Sequence, residues 1–229
     1  MLRALPTLNE IMRDPREAPR YTAAEVALYI QVPKSTLGYW TRDAPNAPAL
    51  IKRNGASFGD RDLSFMNLLE AHVLEATRQR GVPLRRLRKA VAYLQDDSLV
   101  AVPHPLLAWT LHTVDGSRDV FVKAVAGEDP VNASRHGQVA FGALLDRYLK
   151  RIEVDQSGDP IALNPMHTAR VALKMNVSAG QPVIKGTGIT VRMIAGRYRA
   201  GESKAQIAKA YDLKIADINA ALTYLSPAA

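Results

Sequence analysis

Lys34, Ser35, Thr36, Tyr39 and Arg42 fall within nine consecutive positions, and Lys52 and Arg53 follow ten residues later. Side chains of these types donate to phosphate oxygens and hydrogen-bond base edges, so the chemistry they offer is recognition of a polyanion rather than bond making. Residues suited to catalysis are poorly arranged by comparison. His72, His104, His112, His136 and His167 are scattered, without a His-x-x-x-His or His-Glu pair at metal-ligand spacing. Cysteine is absent, which excludes disulfides, thiolate metal sites and thiol nucleophiles. Gly180 to Gly188 is rich in glycine but lacks the Gly-Lys-Ser/Thr ending of a phosphate loop, and it reads as tight strand turns. Asp96-Asp97 and Glu128-Asp129 read as solvated loop pairs. The expectation is a non-enzymatic protein with no catalytic residue, no metal and no cofactor.

The charge distribution points the same way. The 229 residues carry a net charge of +8, of which +6 lies in residues 1–95 and +2 in residues 96–229. A basic N-terminal region suits nucleic acid. At 47% hydrophobic and 23% charged residues the composition is globular, not disordered. There is no apolar run of membrane-spanning length and no apolar core of a secretory leader, so a cytoplasmic protein without a membrane partner is expected.

These candidates need elements to hold them. Residues 1–20 read as an arm that is loosely ordered unless docked. Thr22-Ala23-Ala24-Glu25 is a capping box that opens a helix, and Gln31-Val32-Pro33 ends it. A second short helix runs from about Lys34 to Thr41 with Leu37 and Trp40 inward. Two short helices joined this tightly match a helix-turn-helix, whose second helix enters the major groove. Asn54-Gly55 is a preferred two-residue hairpin turn and sets Lys52 and Arg53 at the tip of a wing. A helix over Asp60 to Gln79 and another over Leu84 to Leu94 complete the unit. The second presents Arg85, Arg86, Arg88 and Lys89 outward.

Residues 21–94 resemble the MerR-type winged helix-turn-helix through the spacing of Tyr21, Glu25, Ala27, Thr36, Tyr39 and Trp40. Pro33 stands where that family usually has a Ser cap, and Gly38 where it usually has an Arg. The second departure shifts the expected DNA grip onto Lys34, Arg42 and the wing.

Residues 96–168 read as a small mixed module. Strands are expected over Leu106 to His112 and Val120 to Val125, a helix over Gln138 to Lys150, and a hairpin over Ile152 to Leu163 turning at Gly158-Asp159-Pro160. In residues 169–229, short strands lead to a helix from Val191 that Gly201 ends, a second capped by Ser203, and a third holding Ile218, Ala221, Leu222 and Leu225. The fold class is therefore α+β and mostly helical: an N-terminal winged helix-turn-helix, a small middle module with hairpins, and C-terminal short strands plus three helices.

The C-terminal words Gly180 to Thr187, Gly201 to Ser203 and Tyr211 to Leu222 resemble the family of domains of unknown function numbered 433. Gly188 replaces the Arg usual there, and Lys214 replaces a common Ser or Thr cap. Together with the N-terminal unit, the layout resembles the longer VapB-type antitoxins. That resemblance implies an antitoxin that neutralises a PIN-like ribonuclease and, as a homodimer, binds operator DNA to repress its own operon. It also implies a toxin-facing set of cations, Lys185, Arg192, Arg197 and Arg199, able to compensate a carboxylate cluster. The alternative is a MerR-like transcriptional regulator that senses a small molecule and has no toxin partner.

Overall fold

The computed structural model describes residues 14–43, 48–53, 57, 59–79, 81, 83–85, 87–88, 104, 106–107 and 147–226. Helix α1 (Ala23–Tyr29) starts on the Thr22 capping box: Thr22 Oγ1 accepts the Glu25 amide (3.1 Å), and Glu25 Oε2 accepts the Thr22 amide (3.0 Å). These bonds satisfy two amides that have no partner inside the helix. Gln31 then turns the chain at φ +57°. Its side-chain amide donates to the Leu28 carbonyl (2.8 Å), which helps hold this left-handed conformation. Helix α2 (Lys34–Trp40) follows, with Leu37 and Trp40 fully buried.

Helix α3 (Phe65–Gln79) begins five residues later than the periodicity suggests. Leu63 is committed elsewhere: its backbone pairs with Tyr21 in an isolated antiparallel bridge. Ser64 and Asn67 then exchange reciprocal side-chain-to-amide bonds (3.1 and 3.2 Å) that start the helix. Every residue from Asn67 to Thr77 is buried, as in a central helix rather than an amphipathic surface one. Residues 84, 85, 87 and 88 are helical, with Leu87 fully buried.

The expected wing is not formed as a strand pair by the described residues. Leu50 and Ile51 are buried bends whose amides both donate to the Trp40 carbonyl (2.9 and 3.1 Å), closing the end of α2. Asn54-Gly55 lies outside the described residues. The strand expected over Leu106 to His112 is corrected at its start: Leu106 and Leu107 are helical, and Leu107 donates to the His104 carbonyl (3.1 Å). Both leucines are buried, which satisfied the apolar pattern without a strand. Residues 108–146, including the Val120 to Val125 strand, lie outside the described residues.

The C-terminal half has one antiparallel sheet in the order β1-β2-β3-β4: β1 (Ile152–Val154), β2 (Pro160–Leu163), β3 (Val171–Lys174) and β4 (Pro182–Ile184). The register sets Ile152 opposite Leu163, Leu173 opposite Leu163 on the next strand, and Val171 opposite Ile184. Strands on either side of position 168 thus belong to the same sheet. Helices α4 (Val191–Arg199), α5 (Lys204–Tyr211) and α6 (Ile215–Tyr224) pack behind it. Thr190 and Ser203 cap α4 and α5, and Gly201, at φ +96°, follows the last turn of α4.

One apolar core runs through both halves, joining Val26, Leu37, Trp40 and Leu68 to Leu163, Val171, Ile194, Ile218 and Tyr224. Two buried tyrosines seal the join. Tyr21 Oη donates to the Gly180 carbonyl (2.8 Å) and Tyr224 Oη to the Tyr29 carbonyl (2.9 Å). Burial pushes both phenols well above their ordinary pKa, so both keep the proton they donate. Gly180 sits at φ +78°, and a Cβ there would collide with the Tyr21 hydroxyl. The arm is docked over residues 14–20: Arg16 pairs with Asp159 (2.6 Å), and its carbonyl accepts the Phe65 amide (3.1 Å).

Candidate nucleic-acid interface

Helix α2 carries a polar outer face because its two inward residues, Leu37 and Trp40, are spaced three apart and take up the core side. Lys34 and Ser35 are exposed, Thr36 is half-buried, and Tyr39 is 53% exposed. Arg42 and Lys52 are exposed as well. Among the described residues, no hydrogen bond or ion pair engages the side chains of Lys34, Ser35, Thr36, Arg42 or Lys52. These five keep their donors for solvent or a ligand.

Arg53 is differently placed. It pairs with Asp62 through Nη1, and its Nη2 donates to Thr41 Oγ1 (3.0 Å). Its charge is spent on closing the segment after α2, so the uncommitted grip on that side falls to Lys52. Tyr39 also has a partner that its sequence position does not reveal. Arg88 lies over its ring, with Cζ 4.7 Å from the centroid.

The four C-terminal cations are not brought together as a free cluster. Lys185 donates to Asn164 Oδ1 (3.0 Å). Arg192 pairs with Glu25 of α1 (2.9 Å), which also takes Arg61 (3.1 Å). Arg197 holds Glu202 through two bonds (2.7 and 2.5 Å) and lies 4.9 Å over the Tyr211 ring. The Glu202 carboxylate keeps the Arg197 guanidinium well above its usual pKa, and Arg197 in turn lowers that of Glu202. Arg199 uses only Nε, on the Ala195 carbonyl (3.2 Å), so most of its donors stay available.

Two histidines are buried with opposite charge preferences. His72 donates through Nε2 to the Tyr148 carbonyl (3.1 Å), and burial pushes its pKa down to about 4, keeping it neutral. Burial disfavours the charged ring of His104 too, but Glu70 (2.9 Å) and Glu17 (2.8 Å) outweigh it and push its pKa up to about 10. Burial acts on Glu70 in the same sense, raising its pKa. This trio ties residue 104 to the arm and to α3. Among the described residues, no group of three or more His, Asp or Glu side chains could hold a metal ion, and no helix is long and apolar enough to cross a membrane.

The basic run at 85–89 already placed Arg88 outward, within reach of a phosphate, but its contact with Tyr39 and the double pairing of Glu25 were not legible in the sequence. Glu25 was explained in full by its capping role, so nothing local pointed to a second one.

Residues 19–91 match a family described as "Putative DNA-binding HTH domain", and residues 171–225 match "Protein of unknown function (DUF433)". The X-ray crystal structure of Rv2018 from Mycobacterium tuberculosis superposes with a TM-score of 0.68 at 26% identity, covering 90% of this chain and 98% of that one. A protein of Mycobacterium tuberculosis (strain ATCC 25618 / H37Rv) named "Putative antitoxin VapB45" is 32% identical over 216 residues, covering 85% of this chain and 89% of the relative. With that identity over nearly the whole of both chains, the protein belongs to the VapB45-like antitoxin family.

Proposed function

We propose that the chain is an antitoxin that neutralises a PIN-like ribonuclease and, as a homodimer, binds operator DNA to repress its own promoter. The observation that carries the DNA half is the outer face of α2. Lys34, Ser35 and Tyr39 are exposed there, while Leu37 and Trp40 anchor the helix from behind. In this reading α2 enters the major groove in the MerR-like manner, Lys34, Arg42 and Lys52 meet phosphates, and Ser35, Thr36 and Tyr39 face base edges. Arg53 supports the segment that presents Lys52. Two copies place two such helices on a palindromic site.

The antitoxin half draws on family membership and on the chemistry of α4. A ribonuclease site of the PIN-like kind concentrates carboxylates, and a guanidinium compensates them. Arg199 is the arginine on α4 that has no carboxylate partner among the described residues. Arg192 and Arg197 would have to release Glu25 and Glu202 first, and Lys185 would have to release Asn164.

The rival reading, a regulator that senses a small molecule, needs a pocket, and two lined by described residues are poor hosts. One, of about 90 Å³, lies between Tyr29, His72, Glu75, Tyr148 and His167. That is well below the roughly 300–1,000 Å³ of typical ligand sites. A larger one, of about 410 Å³, is an open groove whose Arg16 and Asp159 already pair with each other.

The test is co-expression of the tagged chain with the ribonuclease that this reading expects its neighbouring gene to encode. The proposal expects a co-purifying complex and restored growth. Recovery of the chain alone, beside an active nuclease, would overturn it.

A further inference from the structure

The face of α2 is bordered by an arginine from outside the helix-turn-helix. Arg88 reaches back so that Nη1 donates to Tyr39 Oη (3.2 Å), Nη2 to the Tyr39 carbonyl (3.4 Å) and Nε to the Pro48 carbonyl (3.2 Å). The guanidinium carbon lies over one face of the Tyr39 ring, 4.7 Å from its centroid. One side chain therefore links the last turn of α2, the segment after it and the helical residues 84–88. It does so on the solvent side, since Tyr39 remains 53% exposed and Arg88 is half-buried.

Two consequences follow from the donor inventory. A guanidinium has five N–H groups, and the three bonds use one from each nitrogen. One N–H on each Nη remains to donate to a phosphate oxygen. The ring of Tyr39, an exposed side chain that would otherwise sample several rotamers, is held in one orientation while staying 53% exposed. The space beside it is open too: a Cβ on Gly38 would meet nothing within 4 Å.

We propose that Arg88 is a DNA-contacting residue that also positions Tyr39, the two forming one composite reading element in which the guanidinium meets a phosphate and the fixed ring meets the groove. This rests on the DNA reading above and adds a residue that lies outside the two short helices. A cation that only braced the fold would leave the salt dependence of binding untouched, whereas a phosphate contact contributes about one unit to its slope.

The experiment is a fluorescence-anisotropy titration of the full-length chain. It uses the duplex upstream of its own gene and a scrambled duplex of equal length, at salt from 50 to 200 mM. Unmodified chain, Lys34→Ala, Arg88→Ala, Arg88→Lys and Tyr39→Ala are compared, and thermal melting confirms that each is folded. Arg88→Ala is expected to weaken binding to the upstream duplex about 10- to 100-fold, to lower the salt slope by about one and to remove most of the preference over the scrambled duplex. Arg88→Lys, which keeps the charge but not the three-nitrogen fork, is expected to restore the slope and not the preference. Tyr39→Ala should lose the preference while keeping the slope. If Lys34→Ala weakens binding while Arg88→Ala and Arg88→Lys match the unmodified chain, the inference falls and the DNA reading stands. If the unmodified chain binds neither duplex, both fall.

Discussion

Lys34 on α2 and Arg192 on α4 are both exposed cations near the start of a short helix, yet they are in different electrostatic states. Lys34 has no carboxylate partner among the described residues. Arg192 sits 2.9 Å from Glu25, in the other half of the molecule, and shares that carboxylate with Arg61. The contrast extends to their neighbours. Ser35, Thr36, Arg42 and Lys52 are uncommitted, while Lys185 and Arg197 are bonded within their own half. An uncommitted surface cation meets a phosphate by releasing only water and counterions. A committed one must first break a bond whose other partner is then left to find solvent. The N-terminal surface is thus ready for a polyanion as it stands. Of the four C-terminal cations Lys185, Arg192, Arg197 and Arg199, the first three help hold the protein together, and Arg199 keeps most of its donors.

The largest effect should come from the platform under the free cations. Trp40→Ala removes a fully buried indole from a core shared by both halves, a loss of about 3–5 kcal/mol. That is a large share of the roughly 5–15 kcal/mol of a typical domain. Because the core is shared, near-UV and far-UV signals should move together to one lower denaturant midpoint. A C-terminal half that keeps its own unchanged transition would break the comparison by showing that the halves are independent.

Gly180→Ala attacks the join directly. The left-handed backbone opposes a Cβ by about 1–2 kcal/mol, and displacing the Tyr21 hydroxyl adds about 1–3 kcal/mol of overpacking. A midpoint equal to that of the unmodified chain would mean that the Tyr21 contact is not part of the seal.

The two buried histidines predict a stability maximum with opposing limbs. The folded pKa of His104 lies above the ordinary 6.5, so its contribution is complete below about pH 6.5 and is lost as pH rises toward 10. The folded pKa of His72 lies below 6.5, so its contribution is complete above that pH and is lost as pH falls toward 4. Denaturant midpoints at pH 5, 6.5 and 9 should show His104→Gln flattening the alkaline limb and His72→Gln the acid limb. Identical pH profiles for the two variants and the unmodified chain would remove the histidines from the account.

The smallest effect sharpens the comparison most. Arg192→Gln breaks a partly exposed pair and should change stability by no more than about 1 kcal/mol, without moving the salt slope of DNA binding. Lys34→Gln should leave stability within about 0.5 kcal/mol and lower that slope by about one. A reversed pattern, with the slope following Arg192, would invert the assignment of the two surfaces.

Much of this was legible along the chain. The Thr22–Glu25 box, the break at Gln31, the Ser203 cap, Gly201 after α4 and the Gly158 turn were each readable because their bonds close within a few residues. The start of α3 was misread because Leu63, apolar and in helical phase, is recruited by Tyr21 from 42 positions away. Leu106 and Leu107 were misread because a short apolar run fits a buried strand and a buried helical turn equally well.

Local bonding and side-chain period were therefore enough to determine the helix-turn-helix, the outward row on α2, the β1–β2 hairpin and the three C-terminal helices. Which cations stay free was decided only in three dimensions. Arg53 meeting Asp62, Arg192 meeting Glu25 and Arg88 lying over Tyr39 join residues 9, 167 and 49 positions apart. A charge is written in the sequence, but its availability depends on which counter-charges the folded chain brings within a few ångströms, and over such separations no local pattern encodes that.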